Sequence, residues 1–111
     1  MSEENELTLD QVFNILDANI TPEKVEKMDK ASFLFDIGGE LFLADFGREA
    51  APYIERIPEA VDAKCVIAIS KKENWFKLVN GQLNPASAFM TGKLKVKGNM
   101  ALAMKLQKII D

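Results

Sequence analysis

Apolar and polar positions change their period along this chain, and the changes mark its elements. Thr8-Leu-Asp-Gln11 has capping-box spacing, and Leu9, Val12, Phe13 and Leu16 fall on one side of the helix it would open. Thr21-Pro22 supplies a cap and a first-turn proline for a short helix through Met28. From residue 31 the period drops to two, so that Ala31, Phe33, Phe35 and Ile37 share a face. Gly38-Gly39 then predicts a tight hairpin turn, with ELFLADF returning as the second strand. Tyr53 to Ile57, between Pro52 and Pro58, predicts a third strand near an edge. Lys64 to Ile69 is apolar on both faces after its first residue, which predicts a fourth strand covered on both sides.

A helical period follows. Ser70-Lys-Lys-Glu73 reads as a second capping box, with Trp75, Phe76, Leu78 and Val79 behind it and Asn80-Gly81 as the stop. Asn84-Pro85 caps a short helix that ends at Gly92 and carries Phe89 and Met90. In KLKVK, Leu94 and Val96 face in while Lys93, Lys95 and Lys97 face out, which predicts a fifth strand. Asn99 is a good N-cap for one last helix. The expected fold class is α+β: a single domain over residues 1–111, with a five-stranded, mostly antiparallel sheet covered by helices.

The last helix is apolar over too wide an arc. At 100° per residue, Ile109, Leu102, Leu106, Ile110, Ala103, Gln107, Met100 and Met104 follow one another over roughly 220°, whereas a helix resting on a core needs somewhat over ~100°. Three of the five methionines lie in the last 22 residues. A generous core and a ligand-holding cavity both fit this surplus. Methionine suits surfaces that repack around different apolar contents, and Gln107, a lone amide in the apolar sector, needs a partner.

Bulk properties narrow the chemistry. With 111 residues, 48% apolar and 28% charged, the chain is one ordinary globular domain. No run approaches the ~20 apolar residues of a membrane span. The acidic start MSEENELT is no secretory signal, and one cysteine allows no internal disulfide, so a cytoplasmic protein is expected. The chain has no histidine, which removes Ser-His-Asp, Cys-His and His-ligated metal chemistry; no metal, cofactor or catalytic residue is expected. Cys65, in KCVIAIS, reads as a core thiol.

The net charge of −3 conceals an asymmetry. Residues 1–63 carry five Lys/Arg against fifteen Asp/Glu; residues 64–111 carry nine lysines against Glu73 and Asp111. A solvated surface and a face turned toward an anionic partner both account for this. The second half has no arginine and one tryptophan, which does not suit a nucleic-acid groove.

Residues 80–107, NGQLNPASAFMTGKLKVKGNMALAMKLQ, closely resemble the signature of the sterol carrier protein 2 family. AKCVIAIS and the helix after it resemble that family's fourth strand and helix, and ASFLFDIGGE its first strand. The resemblance spans roughly residues 30–111; the first thirty match only in position and helical character. It implies an apolar tunnel between the sheet and the C-terminal helices, and binding or transfer of a long-chain fatty acid, fatty acyl-CoA, sterol or other lipid. It places Asn99, Met100, Gln107, Phe89, Leu94, Leu102 and Met104 at matched motif positions. The chain ends Ile-Ile-Asp, without a Ser-Lys-Leu-type peroxisomal address, and its first hairpin is tight.

The leading expectation is a non-catalytic lipid carrier lined by Trp75, Phe76, Val79, Phe89, Met90, Met100, Met104, Gln107 and Ile110. Lys93, Lys95, Lys97, Lys105 and Lys108 would meet an anionic membrane. The alternative is an accessory module that docks a lipid-metabolising enzyme or another partner protein through the same groove.

Overall fold

The computed structural model describes residues 8–110, without the side chains of Gln107 and Lys108. Thr8 opens α1 (Leu9–Ala18) with the capping box in place, its hydroxyl accepting from the Gln11 N–H and the Gln11 amide oxygen accepting from its own N–H. Thr21 and Pro22 start α2 (Pro22–Lys27). Strands β1 (Ser32–Ile37) and β2 (Glu40–Asp45) pair antiparallel across Gly38-Gly39. Both glycines have positive φ, +60° and +89°, as such a hairpin turn requires. The edge strand β3 (Ile54–Arg56) pairs with β2.

The chain then crosses to the other side of β1. There β4 (Cys65–Ile69) pairs with β1 in parallel, and Gly38 N–H donates to Ile69 O at 2.8 Å beyond the last pair. After α3 (Lys72–Val79) and α4 (Pro85–Met90), β5 (Lys95–Gly98) pairs antiparallel with β4 as the opposite edge. The order is β3-β2-β1-β4-β5, so three of the four pairings are antiparallel. The sheet and its helices form the expected α+β architecture.

One face of the sheet holds the core. Ala31, Phe33, Phe35 and Ile37 are buried together, as their alternation requires. Phe13 of α1 stacks on Phe42 (centroids 4.1 Å apart) and on Trp75 of α3 (5.0 Å). The Asp17 carboxylate ties α1 to β3 by accepting from the backbone N–H groups of Tyr53 (2.7 Å) and Ile54 (3.1 Å). Arg56 lies over the Phe42 ring and donates twice to Asp10 and once to Glu40, which also pairs with Lys72. The Arg56 bond holds the Asp10 carboxyl below its usual range, and bonds from Lys72 and then Arg56 do the same for Glu40.

The structure corrects three local readings. Lys71, not Ser70, precedes α3, and no side chain caps that helix. β1–β4 pairing runs to Ile69 and keeps the chain extended there, so the helix starts later than the capping box implied. β4 is not covered on both sides: Cys65, Ile67 and Ile69 are buried, while Val66 and Ala68 on the other face are partly exposed. The last helix is two, α5 (Met100–Ala103) and α6 (Leu106–Ile110), with Met104 and Lys105 in a turn. Lys105 N–H closes that turn on Leu102 O at 2.9 Å, and its ammonium donates to Lys27 O at the end of α2 at 3.1 Å.

The junction between β5 and α5 is held by close backbone contact. Asn99 N–H donates to Lys64 O at 2.9 Å, while the Asn99 side chain caps α5 by accepting from Ala101 and Leu102. Gly98, at φ +92°, lies so close that an added Cβ would meet Lys64 O at 2.5 Å. Gly98→Ala should therefore cost about 2 kcal/mol or more. Gly81→Ala, also at positive φ but in open space, should cost only about 1–2 kcal/mol. Denaturant unfolding of the two variants checks this; equal losses would mean the Lys64 contact is unimportant.

Candidate functional site

An apolar cleft of about 370 Å³ opens between α4, β5 and α5. Each element reaches it for a reason visible in the chain. Asn84 starts α4 by accepting from the N–H groups of Ala86 (2.8 Å) and Ser87 (3.4 Å), and Pro85 fits its first turn. That start sets the direction of Phe89 and Met90, which lie one turn on. The fifth strand starts at Lys95 rather than Lys93, so Leu94 faces the cleft from the bend that enters β5 and Val96 from the strand itself. Asn99 aims α5 so that Met100 and Ala103 border it, with Met104 following in the turn.

Among the described residues the lining carries no ionisable group. Its one side-chain amide, Asn84, is already engaged as a cap. Such a site recognises its occupant by the apolar surface it buries, and its volume falls within the ~300–1,000 Å³ range of small-molecule pockets. Its rim is unusual for a water-soluble surface: Phe89 is 45% exposed, Met90 84%, Met100 48% and Met104 76%.

These exposures explain the over-wide apolar arc. Ile109, Leu102 and Leu106, at one end of the arc, are buried. Ala103 and Ile110, in the middle, are partly buried against the core. Met100 and Met104, at the other end, are exposed at the cleft. The segment thus serves the core along one edge and the cleft along the other.

Of the expected lining residues, the structure brings together Phe89, Met90, Met100 and Met104. It does not bring Trp75, Phe76, Val79 or Ile110 into this cleft. Trp75 is fully buried in the aromatic core, where its indole N–H has no acceptor among the described residues. Phe76, Val79 and Ile110 pack partly buried against that core. Gln107 and Lys108 lie outside the described side chains. Asn84, Pro85, Ala86, Leu94, Val96, Ala103 and Leu106 join the lining without having been assigned to it. The strand alternation that turned Leu94 and Val96 inward was the available signal. What forms here is an open cleft; an enclosed tunnel is not seen.

The lysines are divided. Lys93, Lys95 and Lys97 are exposed on the side of β5 away from the cleft, while Lys105 is engaged by α2. Cys65 is buried in the sheet, and burial pushes its thiol up, away from the reactive thiolate. No cluster of three or more metal-ligating side chains occurs among the described residues.

Residues 9–111 match the profile of the SCP-2 sterol transfer family. The chain belongs to that family. Among curated relatives, the hydroxysteroid dehydrogenase-like protein 2 of Homo sapiens is 33% identical over 109 residues, covering 93% of this chain and 25% of its own length. The chain therefore spans about a quarter of the length of such a relative. Among solved structures, the apo form of sterol carrier protein 2 from Yarrowia lipolytica superposes with a TM-score of 0.73 at 24% identity, covering 89% of this chain and 86% of that one. The palmitated sterol carrier protein 2-like 2 of Aedes aegypti does so with a TM-score of 0.68 at 16% identity, covering 94% and 95%. At these identities the two structures speak for the fold.

Proposed function

We propose that the protein is a non-catalytic lipid carrier that holds one acyl chain in the cleft between α4, β5 and α5. The observation that carries this reading is the rim of Phe89, Met90, Met100 and Met104, exposed around a lining that is free of charge among the described residues. Covering it with an acyl chain contributes about 0.8 kcal/mol per methylene buried. Long-chain fatty acids, fatty acyl-CoAs and sterol-like lipids all offer such surface. Methionine side chains bend readily, so Met90 and Met104 can fold over the bound chain and turn the open cleft into a tunnel. The palmitated relative supports a fatty acyl ligand. We place this activity in the cytoplasm, where the free buried thiol of Cys65 stays reduced.

A second reading is favoured by the relatives' length. The dehydrogenase-like protein is about four times as long as the segment matched. A domain of this kind then serves as an accessory module, presenting lipid to, or docking with, an enzyme of lipid metabolism.

Unlabelled palmitate should displace a fluorescent fatty acid from the protein with micromolar or tighter affinity, at one site per chain. The double variant Met90→Ser/Met104→Ser should bind about tenfold more weakly. Because both residues are exposed, its stability should stay within about 0.5 kcal/mol of the parent per substitution. Absence of displacement, or undiminished affinity in the variant, contradicts the cleft as the lipid site.

β5 is an edge strand with the cleft on one side and Lys93, Lys95 and Lys97 on the other, so a membrane lying along its free edge meets both. Each lysine near an anionic surface contributes ~1 kcal/mol within a Debye length of ~8–10 Å. Sedimentation with anionic vesicles should be clear at low salt, lost at high salt and nearly absent with neutral vesicles. Equal binding to both kinds of vesicle would mean that these lysines only keep the strand edge solvated.

A further inference from the structure

A second recess, of about 460 Å³, lies on the other side of the sheet edge, bounded by the β1–β2 turn, the end of β4 and the segment entering β5. Its chemistry is opposite to that of the apolar cleft. Three of its walls are glycines, Gly38, Gly39 and Gly92, and an added Cβ at Gly39 or Gly92 would meet nothing within 4 Å. Among the described residues, Lys93, Lys95 and Ser70 supply its side-chain donors, and Asp36 is its one carboxylate.

The hydrogen bonds show which of these groups are free to bind. Gly38 N–H is committed to Ile69 O (2.8 Å), Gly39 N–H to Asp36 Oδ1 (3.1 Å) and Gly92 N–H to Phe89 O (3.2 Å). Lys72 passes beside Gly38, but its ammonium is paired with Glu40. The ammonium groups of Lys93 and Lys95 and the Ser70 hydroxyl have no partner among the described residues. Two unpaired cations and a hydroxyl thus line a roomy recess against a single carboxylate already accepting a backbone bond.

We propose that this recess is a second binding site, taking a phosphate-bearing group on Lys93, Lys95 and the Ser70 hydroxyl. Lysine binds phosphate as a compact point charge with three donors, and a phosphate monoester offers several acceptor oxygens. The segment entering β5 and the strand itself connect the two sites: Leu94 and Val96 border the apolar cleft, while Lys93 and Lys95 border the polar recess. An amphiphile with its chain in the first would meet the second only through a head group long enough to cross the free edge of β5, which the carboxylate of a plain fatty acid is not. The inference rests on the lipid reading only for the source of the phosphate, either a nucleotide carrier attached to an acyl chain or a glycerophosphate head group.

Probes without an acyl chain test it independently. Adenosine 3′,5′-bisphosphate and glycerol 3-phosphate should each be titrated into ¹⁵N-labelled full-length protein, with inorganic phosphate as a third arm. Saturable shifts are expected at Gly38, Gly39, Ser70 and Gly92 to Lys95, with little change at Met100 to Ala103. Tighter binding of the nucleotide assigns the group to a nucleotide carrier, and tighter binding of glycerol 3-phosphate to a head group. Equal binding of all three assigns the site to free phosphate. Lys93→Ala/Lys95→Ala should weaken the preferred probe about tenfold, Lys93→Arg/Lys95→Arg should retain it, and palmitate affinity should move less than twofold in both. Absence of saturable shifts, or shifts unchanged in the alanine variant, overturns the proposal. The palmitate arm shows separately whether the lipid reading stands.

Discussion

Parallel pairing of β1 with β4 is the constraint around which the rest of the chain is arranged. Parallel neighbours cannot be joined by a hairpin, so β2 and β3 build outward from one side of β1 before the chain returns to the other. The central strand then lies between two pairings with Phe33, Phe35 and Ile37 on one face, and α1 and α3 close over that face through Phe13 and Trp75. Once β4 is fixed, its outer edge is the place left for β5. The long connection through α3 and α4 brings the start of α4 beside that edge, which creates the apolar cleft.

β5 therefore has two tasks that a central strand could not combine. Its pairing with β4 anchors it, and the Gly98–Lys64 approach fixes where it ends and α5 begins. Its other edge is free, so successive residues serve different surroundings: leucine and valine toward an apolar cleft, lysines toward solvent and the polar recess. The strand and the bend that enters it thereby separate two environments of opposite polarity.

Much of this was legible in the sequence because local signals and tertiary structure agreed. Thr8, Thr21, Asn84 and Asn99 act as caps where the chain predicts them. Gly38-Gly39 makes the hairpin turn, and residues 31–37 bury the face their alternation selects. The departures have a common cause, since each depends on a neighbour distant in the chain. Strand pairing as far as Ile69 overrode the Ser70 cap. The Lys105 bond to α2 accompanies a break that no helical wheel contains. The apolar helix that carries Trp75 points to a lining role, yet stacking on Phe13 takes the residue into the core. The polar recess has no signature in the sequence, because its members come from three separate segments and form no motif.

The methionines offer a direct view of the central claim that the exposed rim, and not the aromatic core, receives the lipid. Met90, Met100 and Met104 surround the cleft, while Met28 is fully buried in the core. Protein labelled with ¹³C at the methionine methyls can be titrated with palmitate and followed by NMR. The account predicts saturable shifts of the Met90, Met100 and Met104 methyls, with palmitate contacts to them, while Met28 stays in place. Palmitate contacts at Met28 with the other three unmoved would put the lipid in the core and contradict it.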